Sequence, residues 1–192
     1  MESLLVSTGV VALAEIGDKT QLLAFILAAR FKKPLPIILG ILCATVVNHG
    51  LAGAVGAWIT AHVSQDVLRW VLGASFIGMA IWTLIPDKIE DEETQVAQRL
   101  GVFGATLVTF FLAEMGDKTQ IATVALAAHY PSAVLVVIGT TLGMLVADVP
   151  AVFIGDRLAN RIPMKLVHSI AAVIFLLLGL ATLFGAGSGL GF

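Results

Sequence analysis

Two copies of one charged motif decide the fold of this chain: Glu15-Ile16-Gly17-Asp18-Lys19-Thr20-Gln21 and Glu114-Met115-Gly116-Asp117-Lys118-Thr119-Gln120. Each copy places three formal charges in a segment that is otherwise rich in Leu, Val, Ala, Ile and Phe. A charge at the centre of a bilayer costs about 2.5–3.5 kcal/mol on insertion scales, so it must face the protein interior or a water-filled cavity. Two such segments therefore predict one shared polar site.

The composition is typical of an integral membrane protein. Of 192 residues, 58% are hydrophobic and 12% are charged, whereas about a quarter of the residues in a soluble domain are charged. The net charge of −2 provides no basic surface for nucleic acid. The single cysteine, Cys43, excludes an intrachain disulfide.

Hydropathy divides the chain into six predicted transmembrane helices. Their approximate bounds are residues 4–29, 35–61, 67–85, 100–128, 132–154 and 165–184. At about 1.5 Å per residue, such helices match a hydrocarbon core of about 30 Å. Because Met1-Glu2-Ser3 lacks the basic region of a signal peptide, the first helix is expected to remain as a span. The sequence thus predicts an all-α integral membrane protein.

The sequences of the two halves of the chain align without a gap when one is shifted by 99 residues. This shift aligns both motifs, and it also aligns Gly40 with Gly139 and Phe76 with Phe175. We therefore predict a first repeat at residues 1–86, an acidic cytoplasmic linker at 87–99, a second repeat at 100–186 and a tail at 187–192. Since three spans is an odd number, the second repeat should enter the membrane in the opposite sense, as an inverted repeat.

Basic residues outside the motifs concentrate on one predicted side of the membrane. Arg69 lies on the other side, and the rest flank the loops after the first, third and fifth spans: Arg30, Lys32, Lys33, Lys88, Arg99, Arg157, Arg161 and Lys165. By the positive-inside rule, those loops are cytoplasmic and both termini lie outside.

Inversion about the membrane midplane predicts that the acids of both motifs meet at one depth. The candidate metal ligands are Glu15, Asp18, Glu114 and Asp117, and the candidate charge-balancing residues are Lys19 and Lys118. On a continuous helix each motif's acids and lysine would share one face. Gly17 and Gly116 are positions where a helix can instead unwind, as at the binding sites of transporters.

The charges of this predicted site indicate the kind of ligand. Four carboxylates and two ammonium groups have a net charge of −2, which either one divalent cation or two protons would neutralise. Oxygen ligands favour Mg²⁺, Ca²⁺ or Mn²⁺ over Cu⁺ or Zn²⁺. The pattern therefore predicts a metal–proton exchanger that carries its metal as substrate and has no cofactor.

Several other polar residues lie within the predicted spans. Gln21 and Gln120 are either metal ligands or interhelical hydrogen-bond partners, and Asn48 is a candidate ligand or gate. Thr20 and Thr119 are expected to bond to the backbone of their own helix.

Asp148 and His49 occupy equivalent positions in the two repeats. Asp148 is a candidate ligand, gate or proton relay. His49 is either a proton relay or a hydrogen-bonded structural residue. Two small-residue faces, at Gly40 and Ala44 and at Gly139 and Gly143, are expected to pack within the bundle or in a homodimer.

The duplicated motif in a small six-span chain resembles the MneA-type manganese exporter family, which is related to Golgi calcium/manganese–proton exchangers. The resemblance covers essentially the whole chain. It implies secondary transport of Mn²⁺, or of Ca²⁺ in some members, with Glu15, Asp18, Glu114 and Asp117 as metal ligands. The chain has no eukaryotic-style targeting sequence, which favours the inner membrane of a bacterium.

Two alternatives to metal export stay open from the sequence. One is the export of a small organic cation such as a basic amino acid, and the other is an intramembrane enzyme that uses the carboxylates as an acid–base pair. A primary pump is disfavoured because the sequence has no Gly-x-x-x-x-Gly-Lys-Ser/Thr loop. The symmetric duplication fits alternating access better than a one-sided catalytic site.

Overall fold

The computed structural model describes residues 1–85, 100–154 and 164–184. The described residues form helices and no strands: α1 Glu2–Glu15, α2 Lys19–Phe31, α3 Pro34–His62, α4 Gln65–Trp82, α5 Gly101–Glu114, α6 Lys118–His129, α7 Ala133–Ile154 and α8 Met164–Leu183. The all-helical prediction is therefore confirmed. The predicted linker at 87–99 and tail at 187–192 lie outside the described residues.

The first and fourth predicted spans are each divided at the motif, so the described residues form eight helices, and the unwinding considered for Gly17 and Gly116 is observed. α1 ends at Glu15 and α2 begins at Lys19, and α5 ends at Glu114 and α6 begins at Lys118. The acids of one motif consequently lie on both sides of a break and do not share the face of one helix.

The motif residues explain why the helices break. Gly17 has φ 85° and Gly116 has φ 78°, a left-handed conformation that glycine adopts without the steric cost of a Cβ atom. The next residues, Asp18 and Asp117, are extended with φ −78° and ψ 169° and stand at the N-caps of α2 and α6. Aspartate is a favoured N-cap residue, so Gly-Asp ends one helix and starts the next.

The distribution of polar and apolar side chains is that of a lipid-exposed bundle. α3 is long and apolar enough to cross a membrane, as are residues 133–153 of α7. Large apolar side chains cover the exterior, for example Val47, Trp58, Val146 and Phe153, while the motif acids are buried. Large exposed apolar surfaces mark contacts with lipid or with other proteins.

Small residues let the helices approach closely within the chain. A Cβ atom on Gly139 of α7 would lie 2.6 Å from the Leu4 carbonyl oxygen of α1, and one on Gly143 would lie 2.6 Å from that of Thr8. α1 and α7 therefore run in parallel, since the contacting residue numbers rise together. In the other repeat, a Cβ atom on Gly40 of α3 would lie 2.7 Å from the Thr106 Cβ atom of α5. These glycines therefore pack within the helix bundle of this chain, which is one of the two locations expected from the sequence.

Replacing Gly139 with alanine should destabilise the protein, because the new methyl group meets the backbone of α1. Overpacking of this kind typically costs about 1–3 kcal/mol. The matched control is Gly9→Ala on α1, where no described atom apart from the adjacent backbone of α1 lies within 4 Å of the added Cβ and the higher helix propensity of alanine should stabilise slightly. Thermal unfolding of the purified protein in detergent, followed by size-exclusion chromatography, measures both. Equal midpoints for the two variants would contradict the packing described here.

Candidate functional site

The two motifs come together in the interior of the bundle. Glu15, Asp18 and Glu114 are fully buried, and Asp117 is 3% exposed. Lys118 is also completely buried. Charged groups in such a position are retained only where partners or ligands compensate the loss of hydration.

Each lysine reaches across to the aspartate of the other motif. Lys118 Nζ lies 2.9 Å from Asp18 Oδ2, and Lys19 Nζ lies 3.7 Å from Asp117 Oδ1. The lysines thus face acids of the opposite repeat, as charge-balancing residues should. These contacts also place the two motifs side by side.

The threonines hold the glutamates across the helix breaks. The Thr20 hydroxyl donates a hydrogen bond to Glu15, and Thr119 Oγ1 donates one to Glu114 Oε2 at 2.7 Å. The expectation that these threonines bond to their own helix backbone is wrong. The carbonyl four residues earlier belongs to Ile16 or Met115, which lie in the breaks and outside the helices.

One oxygen of each glutamate is left for another partner. Glu15 Oε2 and Glu114 Oε1 are buried and accept no hydrogen bond from the described residues. Each glutamate is therefore fixed at one oxygen and available at the other. The threonine hydroxyls therefore fix the orientation of both carboxylates.

The glutamines close the breaks and link them to the neighbouring helices. Gln21 Oε1 accepts a hydrogen bond from the Gly17 N–H at 2.9 Å, and Gln120 Oε1 accepts one from Gly116 at 2.7 Å. Gln21 Nε2 donates to the Ala147 carbonyl of α7 at 3.0 Å. Of the two interpretations, the structure realises the interhelical hydrogen bond.

Asn48 takes part in the equivalent contact of the second repeat. Gln120 Nε2 donates to Asn48 Oδ1 at 3.3 Å, and Asn48 Nδ2 donates to the Phe111 carbonyl of α5 at 3.0 Å. Asn48 is the residue 99 positions before Ala147, so both glutamines contact equivalent positions of α7 and α3. Asn48 thereby couples the second break to α3 and α5.

Asp148 joins the motif acids as a fifth carboxylate. It is fully buried, and neither of its oxygens is hydrogen-bonded to a described residue. Glu15 interacts electrostatically with Glu114, Asp148 and Asp117, and Glu114 interacts with Asp117, Asp18 and Asp148. The interior thus contains five carboxylates against two lysines, one acid more than the motif alone predicts.

His49 is buried beside Asn48 but has no such contacts. It is fully buried, and neither ring nitrogen has a hydrogen-bond partner among the described residues. The hydrogen-bonded structural alternative for His49 is therefore not realised within the described part of the chain.

The acidic side chains interact electrostatically, but they are not arranged as the coordination shell of a metal ion. Among the described residues, no group of three or more His, Cys, Asp or Glu side chains is placed to hold a metal ion. Asp18 is held by Lys118, and each glutamate is held by a threonine. Joint coordination by the four motif acids would require these side chains to rearrange.

Comparison with known proteins identifies relatives along the whole chain. The family model described as "Divalent cation/proton antiporter GDT1" matches residues 3–91 and again residues 102–189, once for each half. A Vibrio cholerae protein named "Putative manganese exporter" is 51% identical over 185 residues, covering 96% of this chain and 92% of that protein. "GDT1-like protein 3" of Oryza sativa subsp. indica is 32% identical over 201 residues, covering 91% of this chain and 71% of that protein. No solved structure matches the chain significantly.

Replacing Thr119 with valine should weaken cation transport, because Glu114 loses the hydrogen bond that orients it. Loss of a residue that orients a metal ligand typically costs about 10–100-fold in metal affinity or activity. The measurement is Mn²⁺ uptake into proteoliposomes at several Mn²⁺ concentrations.

Thr123→Val is the matched control for this substitution. Thr123 is also buried on α6, but its hydroxyl donates to the Thr119 carbonyl of its own helix at 2.8 Å. Its replacement should leave uptake close to the unmodified level. A similar loss in both variants would show that the Thr119–Glu114 hydrogen bond has no special role.

Proposed function

Because the chain belongs to the divalent cation/proton antiporter GDT1 family, we propose that it exports a divalent metal ion from the cytosol in exchange for protons. Mn²⁺ is the proposed substrate, in line with the name of the Vibrio cholerae relative, and Ca²⁺ is the second candidate. The observation that carries this proposal is the meeting of two motifs whose buried acids and lysines pair across the repeats.

The proposed architecture is six membrane spans in two inverted repeats. α1 with α2, and α5 with α6, would each form one broken span. The direction of the helices supports the inversion. α3 follows α2 after only two residues and contacts it, which reverses the chain, and α5 runs parallel to α3, since Gly40 lies near Thr106 and Asn48 bonds Phe111. The second broken span would then oppose the first.

The proposed metal ligands are the carboxylates of Glu15, Asp18, Glu114 and Asp117. The free oxygens of the glutamates and Asp117 Oδ2, which has no hydrogen bond from the described residues, are the available acceptors. Carboxylate oxygens suit Mn²⁺ and Ca²⁺ equally in kind. Gln21 Oε1 and Gln120 Oε1 each accept one hydrogen bond from a glycine N–H group of the breaks, which leaves one lone pair on each oxygen for a ligand role.

Charge balance supports the exchange of one metal ion for two protons. With Asp148 included, five carboxylates and two lysines need three positive charges for neutrality. A divalent cation with one proton, or three protons, would provide them, so the loaded and returning forms differ by two protons. Moving an unbalanced charge through a region of low dielectric constant would be strongly resisted. Asp148 and His49, both buried without a described hydrogen bond, are the proposed proton carriers.

No contact among the described residues of the site favours the alternative functions. Membership of an antiporter family disfavours an intramembrane carboxylate enzyme. The proposed location is the inner membrane of a bacterium, with both termini outside and a homodimer as a candidate assembly.

Purified protein in liposomes should exchange external Mn²⁺ for internal protons. With the membrane potential clamped, entry of Mn²⁺ should make the interior more alkaline, as a trapped pH dye would report. Glu15→Gln and Asp117→Asn should abolish both signals, because each removes a ligand oxygen and a proton site. The control is Asp66→Asn, which changes an exposed acid at the start of α4.

Two outcomes would reject parts of this proposal. Mn²⁺ entry without alkalinisation would reject proton coupling and leave a uniporter or a Na⁺-coupled carrier. Transport of a basic amino acid but not of Mn²⁺ or Ca²⁺ would support the organic cation alternative.

Tags at both termini should be reached only from outside the cell, and a tag within residues 87–99 only from the cytosol. The basis is the basic bias of the loops after the first, third and fifth spans. Protease protection in intact cells and in inverted vesicles provides the measurement. An externally cleaved tag in residues 87–99 would overturn the proposed orientation.

A further inference from the structure

The two lysine–aspartate pairs occupy equivalent positions in the repeats but differ in geometry. Lys118 and Asp18 are 2.9 Å apart and both fully buried. Lys19 and Asp117 are 3.7 Å apart, and the Lys19 side chain is 21% exposed. Both contacts are ion pairs, but the first is close, and the second is too long for a hydrogen bond. One pair is therefore closed and the other is open.

The residues of the two helix breaks also differ in how exposed they are. In the first break, Ile16 and Gly17 are half-buried, whereas their equivalents Met115 and Gly116 are exposed. Gln21 is buried, and its equivalent Gln120 is half-buried.

The two aspartates also differ as N-cap residues. Asp18 Oδ1 accepts a hydrogen bond from the Lys19 N–H at 2.7 Å, while Asp117 caps α6 without a side-chain hydrogen bond. In the first motif the break and the aspartate are thus more enclosed than in the second, whereas the lysine of the second motif is more buried than that of the first.

Because the motif occurs twice, either copy can adopt the more enclosed conformation while the other copy adopts the more open one. In an inverted repeat, exchanging the conformations of the halves gives a structure with its access on the other side of the membrane. The closed pair stabilises whichever arrangement contains it, so the ion pairs set the balance between the two states.

We propose that the two lysine–aspartate pairs are reciprocal latches of the transport cycle. In the present conformation Lys118 is latched to Asp18 and Lys19 is released from Asp117. In the conformation that opens to the opposite side, Lys19 is latched to Asp117 and Lys118 is released from Asp18. This inference rests on the transport function proposed above, and it makes the lysines positioning residues in addition to charge-balancing ones.

Lysine chemistry suits this role. Its compact ammonium group on a flexible stem can leave one partner and return, whereas a bidentate arginine pair is held in a fixed geometry. Asp18 Oδ2 and Asp117 Oδ2 both lack a hydrogen bond from the described residues, but Asp18 Oδ2 faces the Lys118 ammonium group, whereas Lys19 lies nearest the other oxygen of Asp117. The two aspartates would therefore alternate between binding lysine and binding the transported ion.

Hydrogen–deuterium exchange of the full-length protein in detergent tests the latch. In the unmodified protein, backbone amides of residues 114–120 should exchange faster than those of residues 15–21. Lys118→Gln opens the closed latch, so the order should reverse. Lys19→Gln removes only the latch of the opposite state, so the original order should persist or become more pronounced.

Opposite responses to equivalent substitutions separate a latch from simple charge balance. If the lysines only balance charge, Lys118→Gln and Lys19→Gln should change the two segments alike, and that result would overturn the proposal. Equal exchange of the segments in the unmodified protein would also overturn it. Lys118→Arg keeps the charge and should retain the original order, and Arg69→Gln, at an exposed position of α4, serves as the control for lost charge.

Two further measurements keep the result interpretable. Size-exclusion chromatography reports folding, and if Lys118→Gln does not fold, Asp18→Asn breaks the same pair from its other side and should also reverse the order. The liposome assay for Mn²⁺ and protons is run separately on the unmodified protein. Coupled flux with no asymmetry of exchange rejects the latch alone, whereas absence of metal–proton flux rejects the proposed function.

Discussion

Burial of charge inside an apolar bundle is the constraint on which the rest of this structure depends. Removing a carboxylate or an ammonium group from water is costly unless an opposite charge and hydrogen bonds compensate it. The chain meets this requirement by pairing Lys118 with Asp18 and placing Lys19 beside Asp117. Because each pair joins both repeats, neither half can satisfy its own charges alone. The duplication is therefore functional as well as structural, since the site exists only where the halves meet.

The helix breaks also help to provide hydrogen-bond partners for the buried polar groups. A continuous helix would occupy the backbone of the motif in its own hydrogen bonds and direct Glu15 and Asp18 along one face. The break at Gly17 instead allows Thr20 to hold Glu15 and allows Gln21 to bond the exposed glycine N–H. Backbone that leaves a helix inside a membrane must find new partners, and residues of the motif itself provide them. The second repeat repeats this arrangement with Thr119 and Gln120.

The two repeats carry different residues at several equivalent positions near the motifs. Asp148 adds an acid where the first repeat has His49, and Asn48 offers a side-chain oxygen where the second repeat has the Ala147 backbone carbonyl. The two ion pairs that join the repeats differ in length, and the two breaks differ in exposure. The two repeats are thus alike in their motifs and different in the residues that surround them.

The sequence by itself determined the helical class, the duplication, the buried motif acids and the positions where the helices break. These features depend on hydropathy, on an exact shift of register and on the local preferences of glycine and aspartate, all of which act over a few neighbouring residues. Tertiary structure alone decided that each lysine crosses to the other motif, and that Asp148 joins the acids while His49 stays unbonded among the described residues. These outcomes depend on how α3 and α7 pack beside the breaks, because distances between side chains far apart in the chain are set by packing and cannot be read from spacing along it.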